Sequence, residues 1–248
     1  MRLKDKVAIV TGGSRGIGKA IALAFAREGA KIAVVGRDRG RAGEVAAQIE
    51  SIGGRAIGLH ADVSIEANVT CMAEEVLSKF GRIDILVNNA GVNLPYRRVV
   101  DLTLDEWNYV VRVNLTGPFL CARAVLPSMI SQNYGKIINI ASIGGRKGAA
   151  GRAPYRPTKA AIINLTECLA AEVKEHNIDV NAICPGPVDT DMLREISGGA
   201  VGNVDSPNQI AAVAVFLACD DGAGVTGTAV DAFGGSNPLF HTQSRAKA

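Results

Sequence analysis

The fold is decided by VAIVTGGSRGIGKAIALAFA, residues 7–26, which reads as a buried strand, a glycine-rich turn and a helix. Val7–Val10 is an apolar run, a pattern typical of a strand that is buried on both faces of a sheet. Lys19–Ala26 consists mostly of good helix formers. A glycine-rich turn between them lets the backbone approach a pyrophosphate, whose charge the helix N-terminus favours. An ordinary tight turn is the alternative that this stretch alone leaves open.

Further apolar runs alternate with helical patterns along the rest of the chain. The predicted strands are Lys31–Gly36, Ala56–His60, Ile83–Asn88, Lys136–Ala141, Asp179–Ile183 and Thr228–Ala232. Seven strands with six intervening helices predict an α/β fold, with a parallel sheet, right-handed crossovers and helices on both faces. One doubly wound domain fits residues 1–248 without remainder, and only residues 236–248 look loosely ordered.

Composition excludes several classes of function. A net charge of +3, with dispersed Lys and Arg, gives no argument for nucleic acid. We expect no membrane span, because no apolar stretch reaches the necessary length of about 18 residues, and no signal peptide. The five cysteines form neither a C-x-x-C pair nor a Cys/His cluster, so we expect no metal site. They read as small core residues in a reducing compartment, which predicts a cytoplasmic protein.

A candidate catalytic pair lies in APYRPTKA, where Tyr155 and Lys159 are four residues apart and would share one face of a helix. An ammonium group one turn away would lower the pKa of the phenol from about 10 towards neutrality. Ser142 ends the predicted strand KIINIAS and would present a hydroxyl at its tip. Such a pair also arises by chance, so it is weak evidence by itself.

Together these motifs resemble the short-chain dehydrogenase/reductase family. The resemblance spans about Lys4 to Gly235 and is carried by motifs in the family's order and spacing: the G-x-x-x-G-x-G of Gly12, Gly16 and Gly18, then Asn88–Gly91, Ser142, Tyr155 with Lys159, and Pro185–Gly186. It implies a Rossmann-type domain with strand order 3-2-1-4-5-6-7. A nicotinamide cofactor would then lie across the carboxyl ends of the strands, at the point where the order reverses.

The resemblance implies a set of cofactor-binding residues. These are Gly12, Ser14, Arg15, Gly16, Ile17, Gly18, Arg37, Asp62, Val63, Asn89, Ala90, Gly91, Tyr155, Lys159, Pro185, Gly186, Val188 and Thr190. Asp62 would contact the adenine, with a helix N-cap near Ser64 as the alternative. Val188 would hold the nicotinamide carboxamide through its backbone.

The choice between NADP(H) and NAD(H) depends on Gly36-Arg37-Asp38-Arg39, at the end of the second strand. An acidic residue at the strand end would accept a hydrogen bond from the ribose of NAD, but Gly36 has no carboxylate. Arg37 could bind a 2′-phosphate, with Arg15 closing from the other side. Asp38 stands one position late and suits a helix cap. We predict NADP(H); NAD(H) remains possible if the arginines are solvated loop charges.

The family's chemistry implies a role for each member of the tetrad Asn114, Ser142, Tyr155 and Lys159. Tyr155 exchanges a proton with the substrate oxygen, which Ser142 orients, and Lys159 tunes the Tyr155 pKa and holds the ribose. Asn114 holds a water for proton relay, unless it is a helix-interior amide satisfied by backbone. The predicted function is interconversion of a ketone and a secondary alcohol, by a 3-oxoacyl reductase, carbonyl reductase or polyol dehydrogenase. An NAD(H)-dependent alcohol dehydrogenase, an isomerase or dehydratase that recycles its cofactor, and a non-catalytic sensor are the alternatives.

Three features depart from the family pattern. Pro157 lies between Tyr155 and Lys159, which requires the helix to begin near Pro154, because proline is tolerated only in a first turn. The segment from Met192 to Pro207 is shorter than usual for a substrate lid, and its glycines suggest mobility. Ala232-Phe233 is inserted before the two glycines near the end of the sheet.

Two further expectations concern the substrate and the assembly. Arg152, three residues before Tyr155, and Arg194 on the lid could face each other and bind an anionic substrate, although a solvated basic rim is the simpler interpretation. Apolar residues on the predicted helices 105–130 and 154–175 extend beyond one sheet-facing stripe. They are Val110, Val111, Leu120, Ala124, Ile162, Leu165 and Leu169. In the family such helices pair across a twofold axis, which implies a homotetramer or homodimer.

Overall fold

The computed structural model describes residues 1–197 and 204–234. Its centre is a parallel seven-stranded sheet in the order β3-β2-β1-β4-β5-β6-β7, which confirms the predicted topology. The strands are β1 Val7–Thr11, β2 Lys31–Gly36, β3 Arg55–His60, β4 Ile85–Asn88, β5 Gly135–Ile140, β6 Ile178–Pro185 and β7 Ala229–Ala232. The predicted tail, residues 236–248, and most of the glycine-rich lid segment fall outside the described residues.

Helices cover both faces of the sheet. They are α1 Gly16–Arg27, α2 Arg39–Ser51, α3 Glu66–Phe80, α4 Leu104–Val111, α5 Gly117–Ser131, α6 Tyr155–Val173, α7 Asp191–Ser197 and α8 Pro207–Ala218. Alternate residues of β1 point to opposite faces. Ala8 and Val10 therefore pack into one core with α1, α2 and α8. Val7 and Ile9 pack into the other core with α3, α5 and α6.

The chain reverses direction across the sheet at β1, which pairs with β2 on one side and with β4 on the other. A polar side chain closes the gap that opens there. The Thr11 hydroxyl donates to the Val87 carbonyl at 3.1 Å and accepts from the backbone N–H groups of Asn89 and Ala90 at 3.0 and 3.1 Å. The turns after β1 and β4 are therefore bound to each other at the switch point, where open α/β sheets bind ligands.

The predicted helix over residues 105–130 consists of α4 and α5 joined by a π-helical turn, Arg112–Thr116. The whole stretch Leu104–Ser131 is long and apolar enough to cross a membrane by length and composition, contrary to our expectation. Half of its most apolar 18-residue stretch is buried inside the protein. It packs here as a core helix, with Val113, Leu120 and Val125 against the sheet.

Several apolar residues of the helices predicted to pair between copies are already buried within one chain. Fewer of them than predicted are therefore left to be covered by a second copy. Val110, Leu120, Ile162 and Leu169 are between 0% and 8% exposed. Val111, Ala124 and Leu165 are half-buried. Trp107, Phe119 and Ile130, which the sequence argument overlooked, are exposed on the same helices.

The prediction for the cysteines needs a change, and the inserted Phe233 can now be placed in the fold. Cys71 and Cys168 are exposed rather than core residues, because they lie on the outer faces of α3 and α6, whereas Cys121, Cys184 and Cys219 are buried. The inserted Phe233 follows β7 and packs against Ala141, Ile162 and Cys184. The insertion therefore supplies a core side chain next to the strand end that precedes Ser142.

Candidate active site

A cleft of about 600 Å³ opens at the carboxyl ends of the strands. It is lined by every predicted cofactor residue except Gly18, by Ser142, Tyr155 and Lys159, and by Arg152. Gly18, Asn114 and Arg194 do not line it. Most of the residues that the sequence assigned to a site are thus brought together, although they are spread over some 180 positions from Gly12 to Thr190.

The glycine turn has the shape that a pyrophosphate requires. Gly12 has a φ of +61°, in the left-handed region that favours glycine. A Cβ atom on Gly18 would lie 2.3 Å from the Gly12 carbonyl oxygen and 2.4 Å from the Asn89 amide nitrogen. Helix α1 begins at Gly16 without a side-chain cap, so its first N–H groups remain available to an anion. These residues fit a dinucleotide.

The end of β2 carries no free carboxylate. The Asp38 side chain caps α2 by accepting from the Arg41 backbone N–H at 3.1 Å, as expected, and it also pairs with the Arg41 guanidinium at 3.3 Å. Arg37 is exposed, and its Nη1 donates to the Tyr109 hydroxyl at 3.3 Å. The hydroxyl of Ser14 lies beside Gly36. Arg41 also lines the cleft; the sequence analysis missed it, although a first-turn arginine after Arg37 was a usable signal.

Arg15 and Asp62 both line the cleft and also have protein partners. The Nη1 of Arg15 lies 3.6 Å from Glu195 and 4.0 Å from Asp191, both on α7. These pairs are exposed and therefore weak. Asp62 is not the N-cap of α3, a position that Ile65 occupies. Its carboxylate accepts from the backbone and hydroxyl of Ser64 at 2.9 and 2.7 Å.

The ionisation of Asp62 follows from these contacts. Partial burial alone would raise its pKa, but the hydrogen bonds from Ser64 and the positive charge of Arg37 lower it below the ordinary value. Asp62 is therefore held as a carboxylate on the cleft wall, within reach of the Arg37 charge.

Tyr155 is the first residue of α6, with Pro154 at the N-cap, so Pro157 lies in the first turn as required. Lys159 is one turn further on, and its Nζ lies 5.7 Å from the centroid of the Tyr155 ring. That ammonium group donates to the Ile140 carbonyl at 2.7 Å, which ties α6 to the end of β5. Ser142 lies two residues after the end of β5, and its Oγ accepts from the Gly144 N–H at 2.9 Å.

Burial controls the ionisation of the catalytic pair. Desolvation raises the pKa of Tyr155, and the Ser142 hydroxyl and the Arg156 charge oppose this only in part. Burial also lowers the pKa of Lys159 to about 8. The predicted lowering of the Tyr155 pKa by Lys159 is thus not found in the isolated chain, because burial dominates and the ammonium group is bound to Ile140.

Asn114 lies in the π-helical turn, an irregularity that often marks a functional position. Its Oδ1 accepts from the Val92 N–H, and its Nδ2 donates to the Val92 carbonyl, both at 2.8 Å. Both ends of the Asn114 amide thus bind the backbone of Val92, as the alternative prediction of an amide satisfied by backbone has it. A Cβ atom on Gly91 would be 3.4 Å from its Oδ1 and 3.7 Å from Lys159 Nζ, so the Asn114 amide and the Lys159 ammonium group both adjoin Gly91.

The two predicted substrate arginines are separated. Arg152 lines the cleft, whereas Arg194 lies outside it and donates to Asp189 at 2.6 Å and Asp191 at 3.4 Å. Acidic residues one turn away on and before α7 explain this placement. The cleft is also lined by residues to which the sequence pattern gave no role. They are Asn93, Arg156, Pro187, Met192, Leu193 and Ile196. Arg156 lies in the first turn of α6, the last three lie on α7, and the other two come from loops.

The switch-point turn, the helix N-terminus and the clustered Ser142, Tyr155 and Lys159 define a Rossmann-type oxidoreductase site. The sequence pattern of the family described as "short chain dehydrogenase" matches residues 6–200. The chain belongs to the short-chain dehydrogenase/reductase family and is an NAD(P)-dependent oxidoreductase.

Named relatives and a solved structure agree with this assignment. The chain is 39% identical to a 3-oxoacyl-[acyl-carrier-protein] reductase of Synechocystis, over 94% of this chain and 97% of that protein. It is 37% identical to 2-(S)-hydroxypropyl-CoM dehydrogenase 3 of Xanthobacter autotrophicus, over 96% and 99% of the two chains. A crystal structure of a short-chain type dehydrogenase/reductase from Mycobacterium marinum superimposes with a TM-score of 0.90 at 32% identity, covering 95% and 97%.

Gly18→Ala tests the fit of the glycine turn. Its Cβ atom would displace the Gly12 carbonyl and the Asn89 amide, so we expect NADPH affinity, measured by fluorescence titration, to fall by about tenfold or more. Gly43→Ala is the matched control: it lies within α2 and its Cβ atom would meet nothing within 4 Å. The control should bind NADPH as the wild type does. Equal affinity of all three proteins would show that the close approach at Gly18 does not shape the cofactor site.

Proposed function

We propose that this protein is an NADP(H)-dependent oxidoreductase that interconverts a ketone and a secondary alcohol. The observation that carries the proposal is the placement of Ser142, Tyr155 and Lys159 on one wall of the cleft, where α6 begins beside the end of β5. A ketone is reduced by a hydride to its carbon and a proton to its oxygen, and these three side chains can supply and stabilise the proton. NADPH, when bound, supplies the hydride.

In the reductive direction, the Ser142 hydroxyl donates a hydrogen bond to the substrate carbonyl oxygen and orients it. Tyr155 then gives its phenolic proton to that oxygen as the hydride arrives at the carbon. The pKa of Tyr155, raised by burial, keeps the phenol protonated before this step. In the oxidative direction, the phenolate takes the proton back.

Lys159 and Asn114 complete the proposed proton path. The phenolate left by Tyr155 is stabilised by the Lys159 ammonium group, which leans over the same ring. With a pKa of about 8, Lys159 is close to the working range and can itself pass a proton. The Asn114 amide adjoins Gly91, as Lys159 does. We propose that its Oδ1, which accepts one hydrogen bond from Val92 and can accept a second, holds a water that returns the proton from solvent.

The preference for NADP(H) is supported by the charges at the end of β2. Asp38, the carboxylate nearest to the position of a ribose acceptor, is already bound to Arg41. Arg37 and Arg41 line the cleft beside Ser14, so two guanidinium groups and a hydroxyl can surround a 2′-phosphate. NAD(H) lacks that phosphate and would offer the Arg37 guanidinium group no anion.

Activity with the two cofactors tests both the reaction and this preference. When the enzyme is supplied with a panel of ketones, aldehydes and acyl thioesters, it should oxidise NADPH with at least one of them. Its kcat/KM for NADPH should then exceed its kcat/KM for NADH by at least about tenfold. Arg37→Asp should reverse the preference, because a carboxylate repels the phosphate. Arg39→Asp makes the same charge change on a residue outside the cleft lining, and this variant should retain the preference for NADPH. A wild type that prefers NADH would refute the NADP(H) assignment, and no turnover with any substrate would favour a sensor.

We propose a reductase of the 3-oxoacyl or small carbonyl type over a polyol dehydrogenase, because the substrate end of the cleft contains the apolar residues Met192, Leu193 and Ile196. Such a wall suits an apolar chain more than several hydroxyl groups. The five cysteines are free thiols, which supports the proposed cytoplasmic location.

We also propose a homo-oligomer, a tetramer or a dimer, that forms through α4, α5 and α6. Phe119 and Ile130 are 43% and 39% exposed on α5, and Trp107 is 38% exposed on α4. Burying these side chains against a second copy removes apolar surface from water. Light scattering at micromolar concentration should give two or four times the 25.8 kDa chain mass; a monomer mass would contradict the proposal.

A further inference from the structure

Four arginines lie on the segment from Ser142 to Lys159 or on α7, and two of them, Arg152 and Arg156, line the cleft. The structure gives three of the four a protein partner. Arg146 donates to Asp231 at 2.9 Å and to the Ala229 carbonyl at 2.6 Å. Arg156 donates to the Lys147 carbonyl at 2.6 Å. Arg194 is bound by the two aspartates described above. Each of these three guanidinium groups has a protein acceptor: Arg146 and Arg194 pair with aspartates, and Arg156 donates to a backbone carbonyl.

Arg152 differs from the other three. It is partly buried on the cleft wall, and its Nη1 is buried without a hydrogen-bond partner among residues 1–197 and 204–234. A buried charged donor without a partner is costly, and such groups normally find an acceptor. The two segments outside those ranges contain neither Asp nor Glu in their sequence, so no carboxylate side chain there can supply one.

The other charges of the cleft do not neutralise Arg152. Three acidic residues line the cleft, and each has another contact: Asp38 caps α2, Asp62 binds Ser64, and Asp191 binds Arg194. Within the described part of the chain, the cleft therefore combines the apolar side chains of Met192, Leu193 and Ile196 with a guanidinium group whose buried Nη1 has no partner. That group, on Arg152, lies three residues along the chain from Tyr155.

We infer that the substrate carries an anionic group, such as a carboxylate, separated from its carbonyl by a short apolar spacer, and that Arg152 binds this group. Arg152 is then a residue that determines specificity, because a guanidinium group forms two parallel hydrogen bonds with a carboxylate. The Tyr155 hydroxyl would meet the carbonyl while Arg152 holds the other end. This inference rests on the proposed ketone chemistry of the same cleft.

The test uses matched pairs of ligands that differ only in charge. Calorimetric titration of 5-oxohexanoate and its methyl ester, and of 4-oxopentanoate and its methyl ester, is performed on protein saturated with NADP⁺, so that bound ketone is not reduced. The wild type should bind at least one acid about tenfold more tightly than its ester. Arg152→Gln should weaken binding of that acid by about tenfold and change ester binding by less than twofold, while Arg152→Lys should restore part of the loss.

Arg98→Gln is the control, because Arg98 is an exposed arginine paired with Asp101 and lies outside the cleft lining. It should leave both affinities unchanged. Acids that bind no better than their esters, no measurable binding of either acid, or an equal effect of Arg152→Gln on acid and ester would each overturn the inference. Reduction of neutral ketones with NADPH in that case would leave the proposed function intact. Conversely, acid binding through Arg152 with no reduction of any ketone would refute the function and keep the anion site.

Discussion

The rest of the site depends on one set of hydrogen bonds, made by the Asn89 side chain across the switch point of the sheet. Its Nδ2 donates to the Thr11 and Gly12 carbonyls at 2.9 and 3.1 Å. These bonds hold the glycine turn in place over the end of β4, and Gly18 packs directly beneath it. The turn could not keep its shape with a larger residue at Gly18, and α1 would then present its N-terminus elsewhere. The shape of the glycine turn is thus determined by the packing of two strands.

The second half of the chain supplies the chemistry by a comparable device. Lys159 donates to the carbonyl of Ile140, the last residue of β5, so the first turns of α6 are fixed against the strand end that delivers Ser142. Backbone contacts of Ser142 and Lys159 thereby help to position the hydroxyl and the ammonium group beside the phenol of Tyr155. Burial then sets their ionisation: it favours a protonated Tyr155 and lowers the pKa of Lys159 towards neutrality. The lowered pKa brings Lys159 into the range where it can exchange a proton at physiological pH, whereas the raised pKa of Tyr155 keeps its phenol protonated.

The sequence predicted what local pattern and spacing determine. Buried strands, the glycine turn and the four-residue spacing of Tyr155 and Lys159 are local features, and Pro157 correctly placed the start of α6. Strand ends were less certain by one or two residues: β4 begins at Ile85 rather than Ile83, and the buried Asp84 side chain just before it accepts from the Val7 N–H.

What the sequence could not predict was which partner each charged side chain would take. Arg15, Arg152 and Arg194 look alike in the sequence, yet one binds α7, one is left unpaired on the cleft wall, and one is bound outside the cleft. These outcomes depend on contacts between segments far apart in the chain. The burial of Val110 and Ile162 within one chain has the same origin, because an apolar residue cannot indicate from its type alone whether its own chain or a second copy covers it.

The most direct test of the account is a comparison of NADPH binding and turnover in Tyr155→Phe, which removes only the proton-transferring oxygen. With a ketone that the wild type reduces, kcat should fall by about a hundredfold or more, while the NADPH dissociation constant should stay within about twofold. Tyr134→Phe removes a buried hydroxyl that has no hydrogen-bond partner in the described part of the chain, and it should keep full activity. A Tyr155→Phe enzyme that retained more than about a tenth of the wild-type kcat would contradict the assignment of Tyr155 as the general acid.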